Sequence, residues 1–234
     1  MINGRKVIGI IGGMGPMATA DLFMKIIDNT QAASDQEHLH VLIDNNTDIP
    51  DRTANILIGS DAPLKPMAEA ARRLEAQGAD LLIMPCNTAH YFYEPLCRNT
   101  TLPVLNMPEI TAEYCAEKGL RCAALLATEG TIRSRIYDRF FAERGIRLLT
   151  PSPEGIKKLM HLIYDEVKAG KPAHPEVLWP ELEALKNQGA EVFLLACTEL
   201  PLVFHEDDPR FPFADPTRLL ALAAIQAAGG TCKA

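Results

Sequence analysis

The sequence predicts an α/β fold made of two pseudo-symmetric domains, each with a mainly parallel four-stranded sheet flanked by helices. Three observations predict it. Short apolar runs alternate with amphipathic stretches of helical length, a long segment of the chain is repeated, and both copies of the repeat carry a cysteine at the same place. A length of 234 residues leaves one large domain or two small ones open, and the repeat decides for two. With 47% apolar and 23% charged residues the chain can bury a core, which excludes a disordered or fibrous protein.

The β-branched run 7–11 reads as the first strand and the amphipathic stretch 18–30 as the first helix. A strand at 41–45 leads to a helix at 66–77 that opens on Pro66 and stops at Gly78. Strands at 81–84 and 104–106 complete the first half, and a helix at 108–118 begins on Pro108. The second half runs strand 123–127, helix 133–144, strand 146–149 and helix 153–168. It continues with helix 175–188, closed by Gly189, strands 192–195 and 213–215, and helix 216–228. The domains are then 1–106 with 217–234, and 107–216. The first apolar run, with Arg5 and Lys6 ahead of it, has some look of a signal peptide. Its glycines and the unbroken helix after it argue for a strand and a turn instead.

Residues 74–88 read L-E-A-Q-G-A-D-L-L-I-M-P-C-N-T, and residues 185–199 read L-K-N-Q-G-A-E-V-F-L-L-A-C-T-E. At a constant offset of 111 the Gln, Gly, Ala, acidic residue, apolar run and Cys coincide. Residues 6–15 face 121–130, and 103–106 face 212–215, with small changes of offset. Any two β/α units share apolar strands and a Gly at the helix end, but the shared Cys is beyond that.

Ligands of open parallel sheets bind past the carboxyl ends of the strands, where Cys86 and Cys197 are expected. Two related halves would present two thiols to one inter-domain cleft from opposite sides, the arrangement that inverts a carbon centre. One thiolate removes a proton from one face while the other thiol delivers a proton to the opposite face. Asn87, Thr88 and Thr198 are expected at helix N-termini, where N–H groups would lower the thiol pKa and hold a carboxylate.

A net charge of −7 with scattered basic residues argues against nucleic acid or an anionic membrane as partner. None of the six cysteines forms a C-x-x-C pair and the six histidines lack metal-ligand spacing, so no metal is expected and a reducing, cytoplasmic setting is. Gly13-Met14-Gly15-Pro16-Met17-Ala18 with Asp44 also fits a dinucleotide fingerprint, which keeps an oxidoreductase open. A non-catalytic amino-acid-binding protein is open too, although it would need neither thiol.

Six motifs occur in order: G-G-M-G-P at 12–16, N-N-T-D-I-P-D-R-T at 45–53, M-P-C-N-T-A-H at 84–90, L-L-A-T-E-G-T at 125–131, Y-D-E-V-K-A-G at 164–170 and A-C-T-E-L at 196–200. Over essentially the whole chain the sequence resembles the aspartate/glutamate racemase family, most closely its cofactor-independent aspartate racemases. The resemblance implies interconversion of L- and D-aspartate by two-base proton transfer between Cys86 and Cys197, with no pyridoxal phosphate or other cofactor, and a homodimer. It also implies carboxylate recognition and charge stabilisation by Arg52 and Lys168, which suits a dicarboxylic amino acid. Met14 would line the cleft, with Asn46, Thr128 and Thr131 as further contacts. Glutamate racemases have a His where this chain has Glu199, beside the substrate. That departure favours aspartate, with glutamate or broad specificity as the alternative.

Overall fold

A computed structural model describes residues 4–233. The chain divides into two compact units. One runs up to Met107 and resumes at Thr217, and the other is Pro108–Pro216.

In the first unit β1 (Ile8–Gly12) is the central strand, fully buried, with α1 (Pro16–Asn29) after it. It pairs in parallel with β2 (Val41–Asn45) on one side and β3 (Leu81–Ile83) on the other. Between them lie α2 (Arg52–Leu57) and α3 (Leu64–Ala76), and α4 (Tyr93–Cys97) comes after β3. The strand expected at 104–106 shrinks to one parallel bridge, Leu82 to Val104. It is held by Leu82 N–H to Pro103 O and Leu105 N–H to Leu82 O, both at 2.9 Å. This first sheet therefore has three strands and a bridge, rather than four strands. The unit boundary falls at the start of α5 (Met107–Glu117).

The second unit contains β4 (Cys122–Ala127), α6 (Glu129–Ser134), α7 (Asp138–Glu143), β5 (Arg147–Leu149) and α8 (Pro153–Met160). A π-helical turn over His161–Val167, α9 (Trp179–Asn187), β6 (Val192–Ala196) and β7 (Phe213–Ala214) complete it. Its four strands are parallel in the order β5-β4-β6-β7, which matches β2-β1-β3 and the bridge at Val104. The last helix, α10 (Pro216–Ala227), returns the chain to the first unit, where Lys6 N–H donates to Ala228 O at 3.0 Å.

The repeat has a physical basis in each unit. Gly78 (φ 96°) and Gly189 (φ 100°) stop α3 and α9 in the left-handed region. In both, the next N–H reaches back to the helix, Ala79 to Leu74 O at 3.0 Å and Ala190 to Leu185 O at 3.1 Å, closing the same glycine-based C-cap. The acidic residue after each cap holds the start of the central strand. Asp80 accepts from Val7 N–H at 2.8 Å, and Glu191 accepts from the N–H groups of Arg121 (2.6 Å) and Cys122 (2.9 Å). Those two bonds lower the Glu191 pKa.

Strand alternation then sorts the side chains. Val192, Leu194 and Ala196 pack with α5 and α7 residues such as Cys115 and Phe141. Phe193, Leu195 and Cys197 pack on the other face with Leu182 and Leu185 of α9. At the corresponding positions of the first unit, Leu82, Met84 and Cys86 share a cluster with Met67, Ala71 and Leu74 of α3. Each of these Leu side chains contributes about 2 kcal/mol by burial. Both cysteines thus lie on the face covered by the helix preceding their strand.

Two expected helices differ in form. The stretch expected at 133–144 breaks at Arg135 (φ 55°), after which Tyr137 and Phe141 are fully buried. The stretch expected at 153–168 turns π-helical beyond Met160, so that Lys168 N–H bonds Ile163 O five residues back, at 3.0 Å.

Candidate active site

Cys86 and Cys197 each stand past the last ladder residue of an equivalent strand, and each is 6% exposed. At Cys86 the backbone is fixed on both sides. Its N–H donates to Met84 O at 2.9 Å around Pro85, and its carbonyl accepts from His90 Nδ1 at 2.9 Å. Asn87 and Thr88 are buried beside it, and Asn87 O accepts from His90 N–H at 3.0 Å.

Arg52 enters this unit as the first residue of α2. The helix starts there because the Asp51 carboxylate caps it, accepting from Ala54 N–H at 2.7 Å. The Arg52 guanidinium is buried and donates through Nη1 to the carbonyls of Ile49 (3.1 Å) and Pro50 (3.0 Å) and through Nη2 to Met14 O (3.0 Å). Met14 therefore contributes a carbonyl that orients Arg52, while its side chain is 1% exposed and packed in the apolar core. Asn46 is half-buried after β2, and its Oδ1 accepts from Asp48 N–H at 3.0 Å.

The second unit gathers Cys197, Thr198, Glu199 and Lys168. The Cys197 thiol donates to Glu199 Oε2 at 3.0 Å, and Thr198 Oγ1 donates to the same oxygen at 3.2 Å. Glu199 Oε1 pairs with Lys168 Nζ at 3.1 Å, and Lys168 Nζ lies 5.1 Å from the centre of the Tyr164 ring. Thr128 and Thr131 serve α6. Thr128 is its N-cap, with Oγ1 accepting from Thr131 N–H at 3.3 Å, and the Thr131 side chain is fully buried.

The expectation of a helix N-terminus at each cysteine is corrected at Cys197. Cys86 is followed by a 3-10 stretch, Thr88–Phe92, that runs directly into α4, whereas Cys197 is followed only by the 3-10 segment Leu200–Leu202, too short to offer the dipole of a full helix. The Cys197 thiol is pushed well up, first by burial and then by the Glu199 carboxylate, with Lys168 opposing. Cys197 thus rests as a thiol. Because Glu199 disfavours the thiolate and Lys168 favours it, Glu199→Gln lowers the Cys197 pKa. The expected result is alkylation of Cys197 by iodoacetamide at pH 8 faster by about tenfold or more, mapped by peptide mass spectrometry. An unchanged or slower rate would show that Glu199 does not control this thiol.

Sequence reasoning missed His90. The signal was present as a histidine four residues after Cys86 in M-P-C-N-T-A-H, but its role depends on Met107, 17 residues further on, whose N–H donates to His90 Nε2 at 3.1 Å. The dinucleotide reading loses its acidic residue, because the Asp44 carboxylate is taken by Arg73 Nε at 2.6 Å. Among the described residues no group of three or more His, Cys, Asp or Glu side chains could hold a metal ion, and no helix is long and apolar enough to cross a membrane.

Two parallel α/β units of matching strand order are the architecture of the Asp/Glu racemases, a class of isomerases. The sequence model of the Asp/Glu/Hydantoin racemase family matches residues 11–224, and the chain belongs to that family. It is similar to the aspartate racemase of Picrophilus torridus, at 30% identity and a TM-score of 0.84, with 97% of this chain and 96% of that chain covered. It is also similar to a broad-specificity amino-acid racemase of Bacillus subtilis (strain 168), 29% identical over 225 residues, 94% of this chain and 96% of the relative. A glutamate racemase of Vibrio cholerae is 31% identical over 142 residues, 58% of this chain and 50% of that protein.

Proposed function

We propose that the protein interconverts L- and D-aspartate without a cofactor, with Cys86 and Cys197 as paired bases. The observation that carries this reading is the equivalence of the two thiols: same strand end, same sheet face, same burial, in two copies of one repeat. In one direction the Cys86 thiolate takes the α-proton and Cys197, which rests protonated, delivers its own proton to the opposite face. The reverse reaction begins from the opposite protonation states. The 30% identity to an aspartate racemase supports the substrate.

Arg52, held by three carbonyls, is the grip for one substrate carboxylate, and Lys168 supplies positive charge near the second thiol. Glu199 organises that thiol through a hydrogen bond and is itself held by Thr198, while Asn87 and Thr88 offer polar groups beside Cys86. Thr128 and Thr131 support the site through the start of α6, and Asn46 through the turn after β2. We further assign the protein to the cytoplasm and to a homodimer, as the family resemblance implies. A second reading, broad specificity, is favoured by the similarity to the B. subtilis enzyme.

A substrate panel tests the reading. Each enantiomer of aspartate and glutamate is incubated without pyridoxal phosphate or metal, and products are separated on a chiral column. Aspartate should be racemised in both directions with kcat/KM at least about tenfold above glutamate, a margin that a side chain one methylene longer can produce. Comparable values for both substrates would replace the aspartate assignment with broad specificity, and inactivity on all four would end the racemase reading.

A further inference from the structure

We propose that His90 is the positioning residue for Cys86, its imidazole bridging the Cys86 carbonyl and the Met107 N–H so that the thiol leaves the chain in one direction. The proposal rests on reading Cys86 as a catalytic base. Its test includes measurements that need no turnover.

β3 stops at Ile83, so the ladder no longer fixes the backbone at Cys86, and the direction of its Cα–Cβ bond depends on the two flanking peptides. The preceding peptide is held by the tight turn around Pro85. The peptide after it is held by the imidazole, with Nδ1 at 2.9 Å from Cys86 O. On the other side of the ring, Nε2 accepts from the N–H of Met107 at 3.1 Å. Met107 is the first residue of α5, where N–H groups have no acceptor inside the helix, so the ring satisfies a donor at the helix start.

One imidazole can serve both neighbours only when it is neutral with the proton on Nδ1. A charged ring would aim an N–H at the N–H of Met107. Burial at 5% exposure enforces the neutral state by pulling the His90 pKa down to about 4. The ring is also braced. Tyr93 stacks beside it, with centroids 6.2 Å apart and planes 12° apart, and Tyr93 OH donates to Val104 O at 2.9 Å.

The second half of the chain shows what the ring replaces. There the Cys197 carbonyl accepts from the backbone N–H of Leu200 at 2.9 Å, and the position equivalent to His90 by the 111-residue offset is Pro201. A side chain positions one thiol and the backbone positions the other. Removing the ring should therefore disturb Cys86 and spare Cys197.

His90→Phe keeps a ring of similar size and removes both hydrogen bonds, whereas the amide nitrogen of His90→Asn can replace Nδ1 as donor to Cys86 O. In His90→Phe we expect kcat for racemisation to fall about 10- to 100-fold with KM within about twofold, the signature of a reacting group slightly misplaced. His90→Asn should recover most of that loss. Iodoacetamide alkylation of the folded protein, mapped by mass spectrometry, should change at Cys86 and stay at the wild-type rate at Cys197. In the wild type, nitrogen-15 spectra of the imidazole should show the neutral Nδ1–H form at pH 6. Wild-type alkylation of Cys86 in His90→Phe, an equal change at both thiols, or a wild-type ring charged or protonated on Nε2 at pH 6 each overturn the proposal. Alkylation and ring state are independent of turnover, so they stand apart from a failure of the racemase reading.

Discussion

Cys86→Ala and Cys197→Ala are each expected to abolish interconversion of the aspartate enantiomers, lowering the rate by about a thousandfold or more, because each removes one of the two groups that handle the proton. The losses should differ in kind. With one thiol left, the α-proton of one enantiomer can still be removed, exchanged on the thiol for solvent hydrogen and replaced from the same face. In heavy water each variant should then label one enantiomer at Cα without inverting it, and the two variants should label opposite enantiomers. Substantial racemisation in either variant would mean that its thiol is not one of the bases. Labelling of the same enantiomer by both would mean that the thiols do not face each other across the substrate. Cys115→Ala makes a suitable control, since burial pushes that thiol up to about 12 and it packs in the core with Phe141.

Gly13→Ala is expected to produce the largest loss of stability among single small substitutions in the glycine loop. Gly13 has φ 89°, and a Cβ there would lie 2.1 Å from the backbone oxygen of Asn46. The left-handed conformation costs a non-glycine residue about 1–2 kcal/mol. The overlap with backbone that cannot swing away adds about 1–3 kcal/mol. Together they correspond to a fall in Tm of roughly 4–20 °C for a protein of this size. Gly145 also has positive φ (67°), but a Cβ there meets nothing within 4 Å, so Gly145→Ala should lose only about 1–2 kcal/mol. Thermal melts of the two variants side by side check this, and equal shifts would show that the contact with Asn46 is relieved at little cost. The contact also gives the loop a structural role: Gly13 lets the turn after β1 lie against the turn after β2, near the carbonyl of Met14 that orients Arg52.

The parallel α/β architecture was legible because its signals are local and repeated. Apolar runs mark the central strands, and Gly78 and Gly189 mark the helix ends where the structure has positive φ. The acidic residue of the repeat was legible only as a coincidence of position, since its bonds to Val7, Arg121 and Cys122 cross from one strand to the start of another. The helix Arg52–Leu57 was not legible. It is six residues long, and the Asp51 cap that starts it lies in a run without an amphipathic period.

In the candidate site the residue identities were legible and their relations were not. The motifs point Lys168 and Glu199 each toward substrate, yet they pair with one another, and Glu199 also holds the Cys197 thiol. The π turn that precedes Lys168 has no sequence signature comparable to a cap or a proline. The lowered thiol pKa expected for Cys197 failed because burial and a neighbouring carboxylate outweigh one short 3-10 turn.

The most direct test of the paired-thiol account is the isotopic content of product and recovered substrate at low conversion. Wild-type protein is given L-aspartate in heavy water without cofactor, and both enantiomers are isolated after a few per cent of turnover. Two opposed bases predict D-aspartate carrying deuterium at Cα and recovered L-aspartate that is still almost entirely protium. D-aspartate that retains the original protium would mean that a single base carries the proton from face to face, and would contradict the account.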